Sequence, residues 1–264
     1  MHQATSAGKN TNRRKRIFHS TLFILLFLSA SCSHAESLKV CYEADFLIKI
    51  GESCVTYDTG SDGVLQFKSV QHTTGIIDVA HHIEQKVMAQ LRIDPVASIY
   101  LFFYEKNSAK SLTHHYFYKN SMVGYSSNSF RFKDKVYKSV KKDFGAKGVL
   151  DPVAAVLSAQ LHHVSKGEMT SFFEGKYIDI TYKDAGRADV EFEGLKYRCR
   201  KVDFKIPVST SSVVTPTGVW RVYIDEKTGM IMRLELKFPL GSAKLIPVSI
   251  TGDKDIFRKY ISGS

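Results

Sequence analysis

Short apolar–polar alternations of period two, cut by compact turn signals, recur along most of this chain, and an antiparallel sheet is the fold that satisfies them. Val87-Ala89-Leu91-Ile93, Phe130-Phe132, Tyr177 to Tyr182, Val190-Phe192 and Trp220-Val222-Ile224 each place apolar side chains on one face of an extended segment. Asp58 to Gly63, Asp184-Ala185-Gly186, Asp225 to Gly229 and Leu240-Gly241-Ser242 supply turns between them. Strands joined by connections this short pair with antiparallel neighbours. Two segments have helical spacing instead. Asp151-Pro152 opens one with an acidic cap and a first-turn proline; Val153, Val156, Leu157, Leu161 and Val164 form its apolar stripe, and Gly167 is placed to end it. Ile76, Val79, Ala80 and Ile83 mark a shorter one. The expected fold is mainly β, a curved antiparallel sheet (open barrel or half-barrel) with one helix packed on it over about residues 152–165.

The first 35 residues are expected to be a secretory leader rather than part of that fold. Lys9 and Arg13 to Arg16 form a cationic flank, Leu22 to Leu28 an apolar run, and Ser33-His34-Ala35 a cleavage site that leaves Glu36 as the new N-terminus. The run is shorter than the about 20 residues a spanning helix needs. An uncleaved anchor stays open as an alternative, and so does lipidation of Cys32, since Ser29-Ala30-Ser31-Cys32 is a degraded lipobox. The Arg13-Arg14 pair fits the twin-arginine route poorly because Lys15-Arg16-Ile17 follows it. Residues 36–264 then form a single β-rich domain: no linker divides them, and the polar stretch Ser209 to Pro216 is only a loop. Export implies a periplasmic protein and argues against nucleic acid as a partner.

Without the leader the chain holds 32 basic and 26 acidic residues, a surplus of six. The segment from Glu105 to Lys147 alone carries ten basic residues against three acidic ones, so the remainder is near neutral. Its centre, Phe130-Arg131-Phe132-Lys133-Asp134-Lys135-Val136-Tyr137-Lys138, begins as a strict alternation with an aromatic and a cationic face, and Lys141 and Lys142 extend the charge. Arg131, Lys133, Lys135, Lys138, Lys141 and Lys142 are therefore the candidate contacts for a lipid head group, an anionic polysaccharide or an acidic protein. The competing reading is an edge strand guarded by lysines against pairing with other chains. Cys41, Cys54 and Cys199 remain after the leader. In an oxidising compartment Cys41 and Cys54 can bridge across a hairpin turning near Ile50-Gly51, while a pairing that uses Cys199 stays open.

Catalytic patterns are absent. There is no Gly-x-Ser-x-Gly, no phosphate-cradling glycine loop and no Cys-x-x-Cys. Ser126, Ser127 and Ser129 read as a turn, and Asp179, Asp189, Glu191 and Glu193 as the wet positions of strands. His81-His82, His114-His115 and His162-His163 are adjacent pairs whose members point apart, so none chelates a metal alone; they read as surface or half-buried histidines. No catalytic residue, metal or cofactor is expected.

The order of segments carries a resemblance. Ile50-Gly51-Glu52, Thr73 to Asp78, the Asp151-Pro152 helix, Lys166-Gly167-Glu168, Gly218-Val219-Trp220 and Phe238 to Ser242 follow one another as in the bacterial envelope family known as domain of unknown function 3108. The likeness runs from roughly Val40 to Ile250 and rests on order and spacing, since each motif is short. It implies a secreted, β-rich single domain of Gram-negative bacteria and supplies no site residues; the basic stretch and the Cys41/Cys54 pair lie outside the pattern. Two functions follow as expectations. One is a non-enzymatic envelope protein that binds or carries an amphiphilic or anionic, lipid-like ligand, with aromatic side chains lining a cavity and lysines at the head group. The other is an accessory protein of an envelope assembly that acts through its basic face and holds no small ligand.

Overall fold

The computed structural model describes residues 36–46, 48–60, 62–80, 82–163, 165–206, 219–238 and 241–261. Strands β1 (Glu36–Phe46), β2 (Ile48–Thr59), β3 (Val64–Thr73), β4 (Ile83–Ile93), β5 (Val96–Asn107), β6 (Lys110–Lys119), β7 (Met122–Arg131) and β8 (Val136–Gly145) form a meander in which each pairs with the next. β9 (Lys166–Phe173), β10 (Lys176–Phe192), β11 (Leu195–Lys205), β12 (Val219–Asp225), β13 (Ile231–Phe238) and β14 (Gly241–Gly252) form a second one. Antiparallel pairing of β1 with β14 joins the two into one 14-stranded sheet whose edges are β8 and β9. Two-residue connections close five hairpins among the described residues, and three of these connections share a backbone conformation. Asn120-Ser121, Glu174-Gly175 and Glu193-Gly194 all have positive φ at both positions, the handedness that matches strand twist. At Gly252, where β14 passes β1, a Cβ would stand 2.1 Å from the Ser37 carbonyl oxygen, so only glycine lets the strands approach.

The sheet curls around helix α2 (Pro152–Leu161). Asp151 caps the helix: its Oδ1 accepts from the Val153 and Ala154 amides, and its own amide donates to Ser98 Oγ of β5. On one side Ala154, Leu157 and Leu161 join the larger core, to which both meanders contribute: Leu38, Leu65, Leu91 and Tyr116 from the first, Phe172, Val190, Cys199 and Met232 from the second. On the other, Ala155 and Ala159 pack with Ile180, Val202, Phe204, Val222 and Ile224 of the second meander. Burial on two sides with small residues is why the helix lies so close to both walls. The segment after β14 packs into the larger core with buried Ile256, Phe257 and Ile261, and the Phe257 ring meets Tyr57 edge-on at 5.0 Å. The fold class expected from the sequence, a curved, unclosed antiparallel sheet with one packed helix, is the observed one.

Several local expectations are corrected. The β1–β2 hairpin turns between Phe46 and Ile48, and a register shift after Ala44 draws Ile50-Gly51 into β2. Asp184-Ala185-Gly186 is a bulge inside the single 17-residue strand β10: Asp184 Oδ1 accepts from the Gly186 amide, and the strand resumes its register at Arg187. α2 stops at Leu161, with Gly167 inside β9; its buried positions include three alanines, while Val153 and Val156 are half-buried and Val164 lies outside the described residues. Ser126, Ser127 and Ser129 stand in mid-strand on β7. The shorter helix, α1 (Gly75–Ala80), leaves Val79 91% exposed, and Ile83 already belongs to β4. The basic alternation is not one strand: it folds back at Phe132 to Lys135, where Lys135 takes φ +55° and Arg131 pairs with Asp134 at 2.7 Å.

Candidate ligand-binding site

Space within the hollow is found beside α2. A cavity of about 120 Å³ is bounded by Val156 of the helix, Phe204 of β11 and Ile206 just beyond it, Trp220 and Val222 of β12, and Ile231 and Leu234 of β13. Every lining side chain is apolar. Period two along β11 and β12 puts Phe204 opposite Trp220 and Val202 opposite Val222, so one face of the ladder presents a continuous apolar wall. The small Ala155 and Ala159 let the helix settle onto that wall, while Val156 stands over the cavity. The cavity is partly open, since Val156, Ile206, Trp220, Ile231 and Leu234 are only half-buried, and its apolar lining suits apolar groups.

Polar groups pin the C-terminal end of α2. The Arg200 guanidinium, 2% exposed, donates from Nη2 to the Ala159 carbonyl at 2.8 Å and to that of Gln160 at 3.5 Å, a cation set against the negative end of the helix. Burial lowers its pKa, and its Nη1 has no partner among the described residues. Gln160 Nε2 donates to the Gly229 carbonyl in the β12–β13 turn at 2.6 Å. Arg187, which opposes Arg200 in the β10–β11 register, is neutralised by Asp184 and Glu226.

The opposite half of the hollow is filled. Phe103, Tyr116, Tyr125 and Phe173 surround His114, whose ring centroid lies 5.6 Å from that of Tyr125 and 5.9 Å from that of Phe103. His114 is 3% exposed, a correction to the expectation of surface or half-buried histidines. The Tyr125 hydroxyl meets its Nδ1 at 3.0 Å, and Nε2 has no partner among the described residues. Desolvation, and then the charges of Lys110 and His115, hold its pKa down at about 4. His82 contacts Asp78, His115 the Tyr100 hydroxyl and His162 the Ser158 carbonyl; His81 lies outside the described residues. Among the described residues no group of three His, Cys, Asp or Glu could hold a metal ion. Asp179, Asp189, Glu191 and Glu193 are exposed, Glu193 in the β10–β11 turn.

The six basic positions chosen from sequence are all exposed but border neither this cavity nor a second, shallow one of about 420 Å³ at the β4–β5 and β6–β7 turns. Arg131 ends β7, Lys133 and Lys135 lie in the following turn, and Lys138, Lys141 and Lys142 line edge strand β8. The structure thus separates the lysines from the apolar wall they were expected to serve. Cys41 and Cys54 are directly opposed in the β1–β2 register and form a disulfide, with Cα atoms 4.0 Å apart. Cys199 is buried and free, its thiol pushed up to about 12, foremost by desolvation. Cys32 and the cleavage site lie outside the described residues, and no described helix is long and apolar enough to cross a membrane. Trp220 and its cavity partners escaped sequence reasoning because each reads as ordinary core; that Trp220 is the chain's single tryptophan was the one available signal.

No family model matches the chain, and no curated protein does. Solved structures align with it. A β-barrel-like protein of domain of unknown function 1849 from Brucella abortus is 11% identical, with TM-score 0.49, over 83% of this chain and 98% of its own. The hypothetical lipoprotein YmcC from Escherichia coli is 8% identical, TM-score 0.26, over 91% and 98%. A putative outer membrane lipoprotein-sorting protein domain from Vibrio parahaemolyticus is 8% identical, TM-score 0.24, over 90% and 96%.

Proposed function

We propose that this chain is an exported, non-enzymatic protein of the bacterial envelope that binds a lipid-like amphiphile, the apolar part of which enters the cavity between α2 and β11–β13. The observation that carries the reading is the lining of that cavity: six side chains from four elements and Ile206 just beyond β11, all of them apolar. Filling it with an apolar group contributes about 25 cal/mol per Å² of surface taken from water. Export, a periplasmic location and kinship with the family of domain of unknown function 3108 belong to the same reading. The alternative, an accessory protein acting through its basic face, has its own support in the lysines of β8, which have no ion-pair partner among the described residues.

Two measurements test it. Native mass spectrometry of the protein recovered from the envelope of its own host should show an extra mass that denaturation releases as lipid. Trp220 lines the cavity, so its fluorescence should shift on titration with a lysophospholipid or fatty acid. In Val156→Phe the new ring occupies the cavity, and the shift should vanish while the fold persists. A bare polypeptide mass together with an unchanged titration in Val156→Phe would remove the cavity as the site.

A further inference from the structure

The lysines that the cavity does not use sit on the hairpin formed by β7 and β8. Arg131 is matched by Asp134, but Lys133, Lys135, Lys138, Lys141 and Lys142 have no ion-pair partner among the described residues. The register places Lys138 and Lys142 opposite Ser129 and Tyr125 on one face, and Lys141 opposite Ser126 on the other, so both faces of the hairpin are cationic. Large apolar side chains are exposed between them: Phe132 is 37%, Val140 41% and Tyr137 63% exposed. Phe130 and Phe132 meet edge-on at 5.7 Å, and the Phe132 amide donates to the Ala109 carbonyl at 3.0 Å, which holds the tip against the β5–β6 turn.

Guarding an edge strand explains part of this. Charge of either sign prevents pairing with another chain, and the opposite edge, β9, does it with exposed Lys166 and Glu168. β8 and its turn carry cations in excess of that need, and exposed aromatic rings work against guarding. Rings and lysines interleaved at one protruding tip suit a bilayer interface, where aromatic side chains lie at head-group depth and lysines meet anionic lipid.

We infer that the β7–β8 hairpin docks the protein on a bilayer surface that presents anionic phospholipid. Phe132 and Tyr137 enter the interface, and Lys133, Lys135 and Lys138, with Lys141 and Lys142 behind them, face the phosphates. The surface is separate from the cavity: it is the place where a protein that handles amphiphiles would meet a membrane, yet it works whether or not the cavity is filled.

Cosedimentation of the exported protein with vesicles tests it. Vesicles of phosphatidylcholine mixed with phosphatidylglycerol should retain the protein, pure phosphatidylcholine vesicles should not, and added salt should release it. Each lysine near an anionic surface contributes about fivefold to the partition, so Lys133→Gln, Lys135→Gln and Lys138→Gln together should weaken it by about a hundredfold. Phe132→Ser with Tyr137→Ser should weaken binding at high salt, where charge contributes least. All five positions are exposed, so circular dichroism should show an unchanged fold. Equal retention by both vesicle types, or by the triple variant, overturns the docking hairpin. So does failure to bind anionic vesicles while soluble polyglutamate is bound, which would assign the lysines to an acidic protein. None of these outcomes alters the Trp220 titration, so the hairpin and the cavity stand or fall separately.

Discussion

His114 makes the stability of this protein depend on pH in a calculable way. Its ring is 3% exposed among Phe103, Tyr116, Tyr125 and Phe173, and burial holds its folded pKa at about 4, below the 6.5 of a solvated imidazole. The unfolded chain takes up this proton as pH falls through 6.5, whereas the folded chain waits until about 4. Stability contributed by the neutral ring is therefore complete above pH 6.5, is lost progressively on the way down to 4, and changes no further below that. At 1.36 kcal/mol for each pH unit between the two values, the loss is about 3 kcal/mol. Asp151 bears on the same range with the opposite sign, because burial raises its pKa and favours the folded state as acid protonates it. The difference between the protein and His114→Asn isolates the histidine. Asparagine keeps a polar group near the Tyr125 hydroxyl and does not titrate, so any constant cost drops out of the slope. Urea denaturation followed by Trp220 fluorescence from pH 7.5 to 4, in roughly half-unit steps, gives both curves. The difference should close by about 3 kcal/mol towards pH 4. Parallel curves would refute the reasoning and show that the aromatic box admits water or a counter-charge.

Replacing Cys41 and Cys54 by serine opens a loop with sequence separation 13 and should cost about 3 kcal/mol in the chain-entropy account, read as a lower denaturation midpoint that reductant does not lower further. Asp151→Ala removes the acceptor for two α2 amides and should cost about 1–2 kcal/mol. Asp151→Asn keeps an acceptor without burying a charge, so at pH 7 it should be at least as stable as the parent, and that advantage should disappear in acid.

How much could be read in advance depended on whether a strand had one wet face. β4 alternates cleanly because Ala89, Leu91 and Ile93 are buried while their neighbours are exposed. β7 does not, because its inward positions run from buried Val123 and Tyr125 to Ser127 and Ser129 beyond the aromatic box, and a serine-rich strand has the composition of a turn. Asp184-Ala185-Gly186 misled for a related reason. The side-chain-to-amide bond that starts a turn also stabilises a bulge, and only pairing with β11 on both sides of it decides which forms. α2 was found by its cap and in part by its stripe, since Leu157 and Leu161 are core and Val153 packs against it; but a helix wedged between two walls has no single apolar face, and Ala154, Ala155 and Ala159 make contacts that the stripe left out.

The site was less accessible than the fold because its two halves leave different kinds of trace. An apolar cavity is a shortfall of packing among residues that each look like core, and Val156, Phe204, Trp220 and Leu234 come together only once α2 lies on the second meander. Cationic excess is compositional and was visible at once, but its place was not. The expectation joined the lysines to the cavity because both suit an amphiphile. The topology parts them: pairing β1 with β14 spends the termini of both meanders in the middle of the sheet, and β8 is thereby left as an edge. Lys138 and Lys142 share the face of Ser129 and Tyr125 and Lys141 takes the other, yet all three are exposed at that edge and none lines the cavity beside α2. On the proposed reading, the tail and the membrane are met at two places, and a head group bound with the tail reaches Lys138 or Lys142 only at the sheet edge.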